Sequence, residues 1–298
     1  MAVSREVLVC INRSSGSADR GDDEREKIAA AFEGTGIVPR VELCAGGGIA
    51  EHAERAVADG ADLIIVGGGD GSISAAAGVL GGTTTALGIL PLGTLNHFAR
   101  DLGIPFDLVK AAQIIAAGQR RKVDLAEVNG RTFINNSAIG LYPLMVIDRE
   151  TQQKRLGRSK RLAMLVASVR TLARFNHQRL TLSVEGRKAQ LDTPLLFVGN
   201  NDYQVALPAP GRRETLEDGK LSVMVLRRKT RLGFVLSAFR ALVGRARRDD
   251  LVQLPPVEQL KVDSRRRNLT LSLDGEAVSL VPPLTYRIRK QALTVIAP

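Results

Sequence analysis

The stretch Ile64–Ser72, IIVGGGDGS, places three glycines, an aspartate, a fourth glycine and a hydroxyl directly after a short apolar run. The run DLIIV reads as a buried strand, and SISAAAGVL reads as a short helix rich in small residues. In open α/β sheets, ligands bind at the carboxyl ends of strands. Glycines let a backbone approach a phosphate closely, and N–H groups at a helix start favour anions. The Walker pattern fails, because counting from Gly67 reaches Ser72 where a glycine is required. The dinucleotide pattern G-x-G-x-x-G fails at the same residue. A carboxylate inside a phosphate loop is repulsive unless a cation lies between them. Asp70 therefore points to a metal–nucleotide site with Mg²⁺ close by. The competing reading is a tight strand–helix crossing with no ligand.

The flanking sequence sets this loop in an α/β context. EVLVCI reads as a strand, DDEREKIAAAFEG as a helix closed by Gly34, and GIVPRVEL as a strand whose Pro39 marks an edge. IAEHAERAVADG is a helix ending at Gly60, and TALGILPLG is a further strand running into a loop. Helices around TLNHFARDLG and FDLVKAAQIIAAG follow. The alternation predicts a doubly wound parallel sheet with helices on both faces. After Arg121 the texture changes to short strands with Gly, Asn or Pro turns: VDLAEVNGRTFINNSAIG, RLTLSVEG, PLLFVGN, KLSVMVL, NLTLSLDGEAVSL, LTYRIRK and ALTVIAP. That texture predicts an antiparallel sheet or β-sandwich. The chain of 298 residues is accordingly divided into residues 1–122, an α/β domain, and 123–298, a β-rich domain. The last strand is left open to return to the first domain.

The charge balance is +11, which points to an anionic partner: nucleic acid, a membrane surface or phosphates. No nucleic-acid motif is present, and three Tyr and eight Phe with no Trp offer little stacking surface, so nucleic acid is not expected. Two cysteines, Cys10 and Cys44, both in apolar settings, exclude a disulfide framework and fit a reducing compartment. No apolar run approaches the roughly 20 residues of a membrane span, and MAVSREVLVCINRSSG lacks the shape of a signal peptide. A soluble, cytoplasmic protein, or one attached peripherally to the inner face of the membrane, is expected. His52 and His177 read as surface residues, and no His/Cys cluster has zinc-like spacing.

GGGDGS followed by LPLGTLNHFARDLGIP resembles the diacylglycerol kinase catalytic-domain family, which includes sphingosine kinases and bacterial lipid kinases. Gly-Gly-Asp-Gly alone is shared with phosphofructokinases and NAD kinases; the pair of motifs is far more specific. INRSSG resembles the family's opening Asn-Pro-x-Ser-Gly loop, VDLAEVNG carries its junction aspartate at Asp124, LEDGKLSV resembles its Asp-Gly-x-Leu element, and LDGE at Leu273–Glu276 its second-domain carboxylate pair. The resemblance covers roughly residues 5 to 297. It implies an NAD-kinase/phosphofructokinase-like first domain, a β-sandwich second domain and an active site in the cleft. It also implies that ATP's γ-phosphate moves to a lipid hydroxyl with Mg²⁺, diacylglycerol being one of several lipid alcohols open as acceptor.

The resemblance implies roles residue by residue. Gly68, Gly69 and Gly71 shape the loop around the phosphates, and Ser72, where the family more often has Thr, donates its hydroxyl to a phosphate oxygen. Asn12 and Ser15 line the nucleotide pocket. Thr94 and Asn96 face the phosphates or the acceptor, with a helix or turn cap as the competing reading of Asn96. Asp274 is the candidate general base. Glu276 helps hold Mg²⁺ and shares a strand face with Asp274, unless the chain bends at Gly275 into a plain Asp-Gly hairpin. Asp218, with the Lys220 backbone, is either a second, structural cation site or a turn residue. Two departures stand out: Arg13 replaces the family's proline, and His97 replaces its usual aspartate.

A lipid substrate requires access to a membrane. SKRLAMLVASVRTLARF and RLGFVLSAFRALVGRAR carry apolar residues at helical spacing beside Lys and Arg, so they suit an anionic surface or the sandwich core. Arg247–Arg248 and Arg265–Arg267 add charge. A soluble NAD or sugar-phosphate kinase and a catalytically weak lipid- or nucleotide-binding regulator are the rival functions; His97 keeps the second in view. Oligomeric state, a homodimer included, is not readable.

Overall fold

In the computed structural model the described residues are 5–13, 22–45, 47–140, 177–203, 213–226 and 251–298. The chain forms two compact units: unit 1 comprises residues 1–125 and 289–298, and unit 2 residues 126–288.

Unit 1 is built on a parallel sheet. β1 (Arg5–Asn12), β2 (Ile37–Cys44), β3 (Leu63–Gly68) and β4 (Ala86–Pro91) lie in the order β2-β1-β3-β4. The end of β16 (Leu284–Ile296) adds a further parallel strand beside β4, with Val295 opposite Leu87. β3 and β4 are buried along their whole length, as expected of central parallel strands covered on both faces. β2 is the edge strand, where Pro39, lacking an N–H, is tolerated. The helices are α1 (Asp22–Ala31), α2 (Gly48–Ala58), α3 (Asp70–Leu80), α4 (His97–Asp101) and α5 (Leu108–Ala117). α2 packs with α3 and α1 with α5. Burial pushes the Cys10 thiol well above its ordinary range, and Cys44 is raised by the same cause. Both are free thiols in this core.

β5 (Arg120–Val128) leads into unit 2, where β6 (Arg131–Phe133) pairs with its end. Unit 2 holds a six-stranded antiparallel sheet in the order β12-β11-β10-β7-β14-β15. Its strands are β7 (Asn136–Gly140), β10 (Leu195–Asn200), β11 (Leu221–Leu226), β12 (Leu251–Val257), β14 (Leu269–Leu273) and β15 (Glu276–Leu280). Facing it, the first residues of β16 pair with β13 (Gln259–Ser264), then β8 (Gln178–Val184) and β9 (Arg187–Thr193). Leu180, Leu182, Val262 and Tyr286 from one sheet and Ile139, Leu196, Val223 and Leu271 from the other form one core. This is a β-sandwich.

Two sequence expectations change here. LTYRIRK and ALTVIAP are one 13-residue strand, β16, rather than two. β12 and β13 were not anticipated; Pro255 and Pro256 obscured β12, which tolerates them as an edge strand.

Candidate active site

In unit 1, two glycine loops meet at the carboxyl ends of β3 and β4. The N–H groups of Leu92 and Gly93 both donate to the Gly68 carbonyl, each at 3.1 Å. A Cβ on Gly93 would lie 2.4 Å from the Gly69 Cα and 2.6 Å from Asn96 Oδ1, so only glycine permits this approach. Sequence reasoning missed Gly93; its signal was a glycine two residues beyond a buried strand.

Asp70 opens α3, half-buried. Its Oδ2 accepts the His97 N–H at 3.1 Å and its Oδ1 the Phe98 N–H at 3.0 Å. It thereby caps α4, whose N-cap residue Asn96 supplies no side-chain cap. His97 thus meets Asp70 through its main chain, a contact any residue type but proline provides at that position. α3 begins differently. Its N-cap is Gly69, extended at φ −92 and ψ −175, with no side-chain cap. The first turn of a helix presents N–H groups without intrahelical partners. From β1, Asn12 Nδ2 donates to Ser72 Oγ at 2.9 Å. The structure therefore brings Asn12, Gly68, Gly69, Asp70, Gly71 and Ser72 together around one helix start.

Asn96 makes the contacts of a turn cap, its competing reading. It is 5% exposed and left-handed at φ 46. Its Nδ2 donates to Pro91 O at 3.1 Å and Gly93 O at 2.9 Å, and its Oδ1 accepts the Gly93 N–H at 3.0 Å. This amide folds its own loop. Thr94 is exposed on the same loop. Ser15 and the two basic amphipathic stretches, residues 159–175 and 231–247, lie outside the described residues. Asp124 is fully buried and accepts the Gln291 N–H at 2.7 Å.

In unit 2, Asp274 and Gly275 are the two central residues of a hairpin turn, at φ 47 and φ 87, and Leu273 pairs with Glu276. Two successive positive φ angles define the type I′ turn for which Asp-Gly is suited. The chain bends at Gly275, so Glu276 does not share a strand face with Asp274. That expectation is corrected, because the alternation argument holds only along one continuous strand. Glu276 is exposed. The Asp274 carboxylate instead reaches β7 and the residues before it. Its Oδ2 accepts Ile134 N–H at 2.8 Å, and its Oδ1 accepts Asn135 N–H at 2.8 Å and Asn136 N–H at 3.0 Å. Asp274 N–H donates to Asn136 O at 2.9 Å. It is as a carboxylate, an acceptor only, that Asp274 takes three amide donors.

Asp218 is exposed and accepts the Asp202 N–H at 3.4 Å. The Lys220 carbonyl accepts the Asn201 N–H at 3.0 Å. Among the described residues no group of three or more His, Cys, Asp or Glu is placed to hold a metal ion. Mg²⁺ bound with a nucleotide needs less: one or two carboxylates, phosphate oxygens and water. Asp70, an oxygen donor fixed by two N–H bonds beside a helix start, fits that requirement.

Comparison with known proteins decides the family. Residues 6–128 match the family model described as the diacylglycerol kinase catalytic domain, and residues 145–297 match the YegS C-terminal NAD kinase beta sandwich-like domain. The chain belongs to the diacylglycerol kinase catalytic-domain family. It is 28% identical over 260 residues to a diacylglycerol kinase of Bacillus subtilis, covering 86% of this chain and 85% of that one. A Staphylococcus aureus diacylglycerol kinase is 26% identical over 251 residues, covering 83% and 78%. Two crystal structures from Bacillus anthracis share the fold, each over 99% of this chain and 97% of theirs. Their TM-scores are 0.75 and 0.69 at 23% and 20% identity, and the second is described as a diacylglycerol kinase. Membership makes this chain a lipid-kinase-family enzyme, and kinases of this kind use ATP. No helix among the described residues is long and apolar enough to cross a membrane.

Proposed function

We propose that this diacylglycerol kinase-family protein transfers the γ-phosphoryl group of ATP to the hydroxyl of a membrane lipid, with diacylglycerol as the first acceptor to test. The observation that carries the reading is the start of α3: a glycine N-cap without a side-chain cap, pressed against a second glycine loop and flanked by Asn12, Ser72 and Asp70. A helix N-terminus of this kind takes a phosphate where other helices take a capping side chain. In this reading Gly68, Gly69 and Gly71 give the phosphates access to main-chain N–H groups. Ser72, oriented by Asn12, donates its hydroxyl to a phosphate oxygen, and Thr94 contacts the nucleotide. Asp70 would hold Mg²⁺, which when bound neutralises phosphate charge.

For unit 2 the geometry favours a division of labour between the two carboxylates. Three amides engage Asp274, which suits a residue that fixes the hairpin. Glu276, exposed at the first position of β15, is proposed in place of Asp274 as the group that accepts the proton of an acceptor hydroxyl. Asp218 and the Lys220 carbonyl are proposed as a secondary cation site with a structural role. Attachment is proposed to be peripheral, to the anionic cytoplasmic face of a membrane. The net charge of +11 and the exposed Arg265, Arg266 and Arg267 support it.

The test is Mg²⁺-dependent ADP release from ATP by the full chain, with vesicles containing single lipids. Turnover stimulated by a lipid alcohol is expected. Turnover with NAD or a sugar phosphate and none with lipids would overturn the reading. ATP binding without turnover would instead favour the regulator.

A further inference from the structure

We propose that Arg213 is a positioning residue for this reaction, holding from the far side the segment that Asp274 grips from the near side. The inference rests on the reading that the Asp274 hairpin serves phosphoryl transfer. Arg213 is only 2% exposed. Its Nη1 donates to Ile134 O at 2.7 Å and Asn200 O at 3.3 Å, and its Nη2 donates to Asn135 Oδ1 at 2.8 Å. The guanidinium carbon lies 5.2 Å from the centre of the Tyr203 ring, which itself stands edge-on to Phe197. Asn200 completes the grip, with Nδ2 donating to Ile134 O at 3.0 Å and N–H to Asn135 O at 2.9 Å.

The same residues, Ile134 and Asn135, therefore face two ions. Their N–H groups point to the Asp274 carboxylate, while the Ile134 carbonyl and the Asn135 side chain take the Arg213 fork. A planar guanidinium donates in fixed directions, which a lysine ammonium does not reproduce. Burying a guanidinium is costly unless its donors are met. Here they are met by acceptors that set where the 134–136 amides lie, and so where the hairpin carrying Glu276 lies. Within the sequence, Arg213 is one of two adjacent arginines in GRRET, and only the fold shows that it is buried.

The experiment compares wild type with Arg213→Lys as full chains, at a temperature where circular dichroism shows both folded. Lipid-stimulated kcat and KM for ATP are measured beside amide exchange at residues 134–136. Misplacement by about 1 Å costs about 100-fold in kcat; that loss is expected, with KM for ATP within about twofold, since the proposed nucleotide contacts lie elsewhere. Exchange should quicken at 134–136. A folded Arg213→Lys with wild-type kcat overturns the proposal, as does a loss that merely tracks the unfolded fraction. If that variant fails to fold, Asn135→Ala replaces it. It keeps Arg213 but removes the Nη2 acceptor, for an expected loss of about tenfold in kcat, the worth of one hydrogen bond to a charged group. Wild-type kcat there overturns the proposal equally. If the wild type shows no lipid-stimulated turnover, the lipid-kinase reading fails on its own. The role in this reaction then falls with it, and the exchange data decide only the hold on the segment: faster exchange confined to 134–136 supports that hold, and unchanged exchange overturns it.

Discussion

Replacing Asp274 by Asn separates turn chemistry from charge. Asn is as well suited as Asp to the left-handed φ of 47 found there, so the hairpin backbone is not strained by the change. What is lost is the carboxylate. An Asn oxygen in the Oδ1 position keeps the Asn135 and Asn136 donors, but as neutral acceptor it holds them roughly half as strongly. The new NH₂ then faces the Ile134 N–H, donor against donor, where a bond of 2.8 Å stood. Hydrogen bonds to charged groups contribute about 1.5–3 kcal/mol each and neutral ones about 1. Because the site is only half-buried, a total loss of about 2–3 kcal/mol is expected. That amounts to roughly 30- to 150-fold faster exchange of the 134–136 amides, read by hydrogen–deuterium exchange. Unit 2 should also melt about 5–10 °C earlier. Unchanged exchange and melting would refute the argument that these three bonds carry energy. A fully stable but inactive variant would refute the division of labour, and return the base to Asp274.

Glu276→Gln should leave stability within about 0.5 kcal/mol, as for other exposed positions, yet lower lipid-dependent kcat by about 10²–10⁴-fold, as expected for a proton acceptor; steady-state kinetics on vesicles check it. Gly93→Ala should separate the two glycine loops, because its methyl meets backbone at 2.4 Å, and weakened ATP affinity by calorimetry is the readout. Stability should decline as pH rises above about 9, the ordinary value for a thiol. The unfolded thiols of Cys10 and Cys44 ionise there while the buried ones stay protonated, so the unfolded state binds fewer protons. Urea titrations at pH 8 and 10, repeated with Cys10→Ala, test the sign and the source.

The α/β character of unit 1 and the glycine loop at the end of β3 were legible because they are local. Apolar runs, helix spacing and clustered glycines speak within windows of about a dozen residues. The pairing of GGGDGS with LPLGTLN likewise marked the two loops that meet at neighbouring strand ends. Yet the direction in which each side chain turned was not in the pattern. Asn96 and Asp70 both carry polar groups suited to a ligand, but the amide closes its own loop and the carboxylate caps a helix that begins 27 residues later. In unit 2 the sequence left LDGE open between a continuous strand and an Asp-Gly turn. Only the tertiary structure brings to it the amides of residues 134–136, about 140 positions away, and the buried Arg213 behind them. Propensity and periodicity determine which elements form, because those energies act between near neighbours. Which buried donor meets which acceptor depends on strand order and register, set once the two sheets of the sandwich close on a common core.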